Sequence, residues 1–161
     1  MSDRDGVVVG VHVNPAGGVP KFAVGLALVT VSGVAGDRQL DLRYHGGPDR
    51  AVCLFARERI DALIAEGHPI APGTTGENLT IAGIDWARLG AGDRLVVGDD
   101  VLLEITGPAP PCSTIAGSFT RGEFKRISDK LHPGWSRLYA RVLREGVVRE
   151  RAPVRLLGQA S

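Results

Sequence analysis

Long apolar runs are missing from this chain. The longest, Val7–Val13 and Ala23–Val31, are each interrupted by glycine or a polar residue. Neither nears the roughly 18 residues that a helical membrane span needs. Cysteine is scarce: two residues exclude a disulfide scaffold and cannot by themselves complete a structural zinc site. Aromatics are only 5%. No charge of one sign prevails, since the formal net charge is +1. With no nucleic-acid-binding motif either, a nucleic-acid reader is not indicated. The start, Met1 to Gly6, carries acids and no apolar signal core, which points to a cytoplasmic protein without a membrane attachment.

Glycine and proline are what the chain has in quantity, 22 and 10 residues of 161. That density, with few aromatics, favours many short strands and tight turns in one domain spanning residues 1–161. Gly6–Val13 reads as a strand ended by Asn14-Pro15. Ala23–Ser32 reads as a strand or strand pair, and Gly36–Asp49 as a polar loop. Ala51–Phe55 is a short, fully apolar strand. Over Arg57–Gly67 the period changes: Ile60, Leu63 and Ile64 fall at i, i+3 and i+4, and Gly67 stands where a helix C-cap belongs. Glu77–Ala82 reads as a strand. Arg94–Val97 and Val101–Thr106 form a hairpin around Gly98-Asp99-Asp100, and Pro108–Pro111 stops the second strand. Ser113–Leu131 suits one or two short helices. Ser136–Leu143 and Val147–Arg149 read as a second hairpin about Glu145-Gly146, and Val154–Leu157 closes the chain.

The two cysteines differ in setting. Cys53 lies within Ala-Val-Cys-Leu-Phe, where a thiol acts as a small buried hydrophobe. Cys112 follows Pro108, Pro110 and Pro111 and precedes a polar segment. A thiol near a helix N-terminus is accessible and reactive, and Arg121, Lys125 and Arg126 are at hand to favour its thiolate. Charge is also unevenly placed. Residues 1–120 hold nine basic and fourteen acidic side chains, residues 121–161 ten and four. The basic third is either a solvated face or a wall that meets an anionic small molecule.

Two polar glycine loops have the same character. One runs from Gly36-Asp37-Arg38-Gln39 to His45-Gly46-Gly47-Pro48-Asp49-Arg50. The other is Gly73-Thr74-Thr75-Gly76-Glu77-Asn78. Glycines let the backbone approach a ligand and form anion-binding nests, and Arg38, Arg43, His45 and Arg50 are donors suited to oxyanions. His45-Gly46-Gly47 and Thr75-Gly76-Glu77-Asn78 are expected to meet in space and share one pocket.

These blocks, with Ala51-Val52, Gly92-Asp93-Arg94-Leu95, Gly98 and Pro110-Pro111-Cys112, resemble the MOSC family, named for the C-terminal domain of molybdenum-cofactor sulfurases. The resemblance covers about residues 5–157. It implies a mainly β fold, a compact irregular β-barrel with a few short peripheral helices. It further implies that Cys112 is the functional thiol, carrying sulfur as a persulfide or ligating molybdenum. Asp37, Arg38, His45, Gly46, Gly47, Arg50, Thr75, Gly76, Glu77 and Asn78 would line a molybdopterin pocket beside it. The chain has no pyridoxal-phosphate fold, so sulfur would come from a donor protein such as a cysteine desulfurase. Two alternatives accompany this expectation. One is a molybdenum-dependent reductase of N-hydroxylated compounds with a separate electron-donor protein; the other is a non-catalytic small-molecule-binding or adaptor domain. His132-Pro133-Gly134-Trp135-Ser136-Arg137 resembles a mark of small stand-alone members, and the resemblance assigns it no chemical role.

Overall fold

The structure is a computed structural model that describes residues 5–38 and 47–159. Its strands are β1 (Asp5–Val13), β2 (Phe22–Ala23), β3 (Leu26–Thr30), β4 (Gly33–Val34), β5 (Val52–Ala56), β6 (Leu79–Ala82), β7 (Asp93–Val97), β8 (Val101–Ala109), β9 (Arg137–Arg144), β10 (Gly146–Arg149) and β11 (Pro153–Gln159). Seven of them follow one another in the order β11-β7-β8-β9-β5-β6-β1, and β1 pairs back onto β11. The sheet therefore closes into a barrel. β2 hangs on β1, and β10-β3-β4 form a separate three-stranded sheet. The fold is mainly β, as the turn density indicates.

The β5–β6 pair is the parallel one in the barrel. A parallel pair needs a crossover connection, and α1 (Arg57–Ala65) is part of it. Ile60 and Leu63 are fully buried, whereas Ile64 is 48% exposed, so the apolar stripe is narrower than its spacing suggests. The helix ends as read: Gly67 takes a positive φ, its N–H bonds the Ile64 carbonyl, and His68 N–H reaches back to Leu63.

Alternation along the strands divides the side chains between two layers. Val52, Leu54 and Ala56 of β5 and Leu138, Ala140 and Val142 of β9 enter the barrel core, with Leu95, Val97, Leu103 and Ile105 from β7 and β8. The other face of β5 puts Phe55 into an outer cluster with Ile60, Leu63, Ile70, Ile115, Phe119 and Ile127. Cys53 lies on that outer face as well, against Ala109 and Tyr139.

Three expectations need correction. β8 does not end at Thr106 but runs to Ala109, with Pro108 opposite Leu138, and stops inside the Pro108–Pro111 run. Ladder pairing with β7 ends at Glu104, so Pro108 lies on a strand edge, where a missing N–H costs little. β9 and β10 are not a hairpin: β10 pairs with β3 instead. Gly146 sits so close to Asp100 that an added Cβ would come within 2.8 Å of the Asp100 Cβ, and the chain leaves the barrel there. Ser113–Leu131 holds no α-helix but three 3-10 turns, Ser113–Ser118, Thr120–Gly122 and Phe124–Ile127.

Candidate functional site

A cavity of about 530 Å³ lies on the outer face of the β5–β9 wall. Cys53 on β5 stands directly opposite Tyr139 on β9, and Arg137, two residues earlier, shares Tyr139's face. Cys53, Tyr139 and Arg137 all line the cavity. The proline turn and the 3-10 turn after it close another side with Pro110, Pro111, Cys112, Ser113, Thr114 and Ile115. Gly18, Val19 and Lys21 come from the β1–β2 connection, Thr75 and Gly76 from the second glycine loop.

Cys112 is half-buried and occupies the N-cap position of the 3-10 turn Ser113–Ser118. Its Sγ lies 2.8 Å from Thr114 Oγ1, a hydroxyl able to donate to a thiolate. The cations facing it differ from those expected. Arg121 is exposed and pairs with Glu123. Arg126 bonds Glu66 and stacks on Trp135, and Lys125 also lies outside the lining. Instead Lys21, Arg38, Arg50 and Arg137 line the cavity, and no carboxylate is among the described residues of the lining. Arg137 is therefore what the basic third contributes, because on β9 it shares the outer, cavity-lining face with Tyr139 while Leu138 between them enters the barrel core.

Cys53 is 6% exposed. Burial pushes its thiol pKa up, with the charges of Arg137 and Lys21 opposing in part. The buried setting read from its apolar run holds, yet it also faces the cavity. Only the period-2 alternation of β5, with Val52 and Leu54 inward, carried a sign of that. Arg137 and Tyr139 were missed for the same reason: which face of a strand meets a cavity depends on what packs outside it. Burial also pushes the Tyr139 hydroxyl up to about 12.

The expected site residues separate into three sets. Arg38, Arg50, Thr75, Gly76 and Cys112 share the cavity. Asp37, Glu77 and Asn78 stand behind its wall, where their polar atoms are consumed by the protein. The Glu77 carboxylate accepts from Thr75 Oγ1, Gly73 N–H and Thr80 Oγ1. Asn78 Oδ1 accepts from Cys53 N–H, and its Nδ2 donates to the His12 carbonyl and Asp37. Asp37 also takes Asn14 N–H and forms an ion pair with Lys21. Gly47 is exposed and off the cavity; His45 and Gly46, with Arg43, lie outside the described residues. Gly73 is required by packing, since an added Cβ would come within 2.5 Å of the Lys21 carbonyl. That contact brings the glycine loop against the β1–β2 connection and so shapes the cavity.

A closed, irregular β-barrel with a thiol set in a cationic outer cavity defines the class of protein. The family model of the MOSC domain matches residues 41–155, and the chain belongs to that family. It is similar to YflK of Bacillus subtilis, 33% identical over 127 residues, which cover 77% of this chain and 55% of YflK. It is also similar to a protein named reductase from Gibberella moniliformis, 32% identical over 127 residues, 76% of this chain and 22% of the reductase. The chain thus spans about half the length of YflK and far less of the reductase. Among solved structures, YiiM from Geobacillus stearothermophilus superposes with a TM-score of 0.71 at 26% identity, covering 94% of this chain and 75% of YiiM. Among the described residues no helix is long and apolar enough to cross a membrane.

Proposed function

We propose that this chain is a cytoplasmic binding and carrier domain for a molybdopterin-type cofactor or its sulfur, with Cys112 as the working thiol. The observation that supports this reading is one cavity that joins a half-buried thiol to four cations, with no carboxylate among the described lining residues. Its volume falls within the range of small-molecule sites. The donor set fits an anionic pterin. Arg38, Arg50 and the backbone at Thr75-Gly76 would hold its phosphate, and Cys112 offers a soft ligand to molybdenum. When bound, the molybdenum ion supplies redox chemistry that no side chain of this protein has. Pro110, Pro111, Ile115 and Tyr139 would exclude water from the thiol, and Thr114 would orient it.

In the sulfur-carrying mode the balance is simple. The Cys112 thiolate attacks the outer sulfur of a donor persulfide, a new S–S bond forms, and the donor's own S–S bond breaks. The donor leaves as a thiolate and Cys112 holds the persulfide. No net oxidant is consumed. The donor is a separate protein such as a cysteine desulfurase, which brings the pyridoxal phosphate. A second reading is a molybdenum-dependent reductase of N-hydroxylated compounds fed by an electron-donor protein. It is favoured by the similarity to a protein named reductase.

Mass spectrometry and metal analysis of protein purified from its own host test the proposal. The expected result is one added sulfur on Cys112, bound molybdopterin, or both. Finding neither, with Cys112 a plain thiol, overturns it and leaves an adaptor. Turnover of an N-hydroxylated base with an electron donor would select the reductase reading.

A further inference from the structure

The segment His132–Arg137 is built as an anchor. Trp135 carries two guanidinium groups against its ring, Arg59 at 4.4 Å and Arg126 at 4.0 Å. Arg59 Nε also donates to the Gly134 carbonyl. Next to it, Ser136 is buried, with Oγ 3.2 Å from the Ala109 carbonyl and its own carbonyl accepting from Trp86 Nε1. This fixed backbone delivers Arg137, at the start of β9, into the cavity wall. Arg137 is 6% exposed.

The environment of Arg137 is incomplete. Nη1 donates to the Thr75 carbonyl at 2.7 Å and Nη2 to the Pro110 carbonyl at 3.2 Å. Nε is buried without an acceptor. Among the described residues no carboxylate forms an ion pair with this guanidinium. Neutral carbonyls satisfy N–H groups but do not cancel a buried charge, which remains costly until an anion approaches. The other cavity cations are less demanding. Lys21 is neutralised by Asp37, Arg38 is exposed, and Arg50 lies half-buried 5.5 Å over the Tyr139 ring.

We infer that Arg137 is the anion anchor of this cavity, and that the cavity takes small molecules bearing an oxyanion group and rejects cationic bases. The two carbonyls that hold Arg137 belong to the glycine loop and to the proline turn just before Cys112. The guanidinium is thereby preorganised between both walls, and an oxyanion on it lies in the same cavity as the thiol. The inference deepens the proposed function by naming the residue that anchors the ligand's anionic group. It rests on that reading only for Cys112 as the reacting thiol. A carboxylate and a tetrahedral oxyanion share the chemistry that Arg137 recognises.

The test titrates the purified full chain at low ionic strength with sulfate and, separately, with acetate, each against chloride. Iodoacetamide labelling of Cys112 is followed with and without the anion. Saturable binding of at least one oxyanion, with slower labelling of Cys112, is expected; which one binds assigns the tetrahedral or the carboxylate class. Arg137→Gln and Arg137→Lys should weaken binding tenfold or more and abolish the protection of Cys112. Arg88→Gln, which removes a charge from an exposed surface, should change neither. Absence of saturable binding by the wild-type protein overturns the proposal, as does equal weakening by Arg88→Gln and Arg137→Gln. If the Arg137 variants do not fold, saturable binding with protection of Cys112 in the wild type decides. A plain Cys112 thiol in protein from the host would refute the carrier reading while leaving oxyanion binding intact, so the two failures are distinct.

Discussion

Cys53 and Tyr139 face each other across the antiparallel pair β5–β9, both turned away from the barrel core and toward the cavity. Their shared burial raises the pKa of each. This relationship holds two weakly acidic groups protonated to higher pH than usual in a wall whose charge is otherwise positive.

The first consequence concerns reactivity. Burial denies Cys53 both access and thiolate, while Cys112 is half-buried at a turn. Iodoacetamide at neutral pH should modify Cys112 at least about tenfold faster than Cys53, as read by peptide mapping. Cys112→Ser should remove the fast phase with the fold intact. Faster modification of Cys53 would contradict the placement of the two thiols.

The second concerns alkaline stability. Tyr139 keeps its proton in the folded state up to about 12, whereas an unfolded tyrosine releases it near 10. Between those values the unfolded chain binds fewer protons, so unfolding becomes easier as pH rises. The raised Cys53 thiol acts in the same direction from a lower pH. Urea midpoints should therefore fall through this alkaline window, and Tyr139→Phe should flatten the decline above pH 10. An unchanged slope in that variant would show that the tyrosine does not titrate as described.

Asn78 offers a third measurement. It is fully buried and bonds Cys53 N–H, the His12 carbonyl and Asp37 at once. Asn78→Ala leaves these buried partners unsatisfied, and a loss of about 2–4 kcal/mol is expected from urea unfolding. A loss under about 0.5 kcal/mol, the size of a surface change, would mean that the network does not hold the wall.

Trp135 is the fourth. Trp135→Ala removes the ring on which Arg59 and Arg126 rest and part of the outer cluster. A destabilisation of about 2–4 kcal/mol by thermal or chemical unfolding is expected. Trp135→Phe, which keeps an aromatic face, should recover part of it. Equal losses in the two variants would remove the cation–π contribution.

Much of the site is legible in the residues themselves. Cys112 stands out because Pro110 and Pro111 just before it end β8 and hand the chain to a turn. Arg38, Arg50, Thr75 and Gly76 stand out as polar residues of glycine loops. Asp37, Glu77 and Asn78 belong to the same loops and look alike in sequence. Their difference arises from direction: their side chains turn inward to satisfy backbone N–H and neighbouring side chains, a choice made by packing.

By itself the sequence determined the strand-and-turn character, the helix ending at Gly67 and the contrast between two thiols, because these depend on local periodicity, glycine conformation and immediate neighbours. Only the tertiary structure decided that β10 leaves β9 for β3, that β8 runs past Pro108, and that Cys53, Tyr139 and Arg137 share a wall. Those features depend on which strand closes the barrel and which layer covers its outer face. Burial of Arg137 among carbonyls, without a carboxylate, comes from chain segments more than sixty and nearly thirty residues away. No local rule of spacing reaches that far.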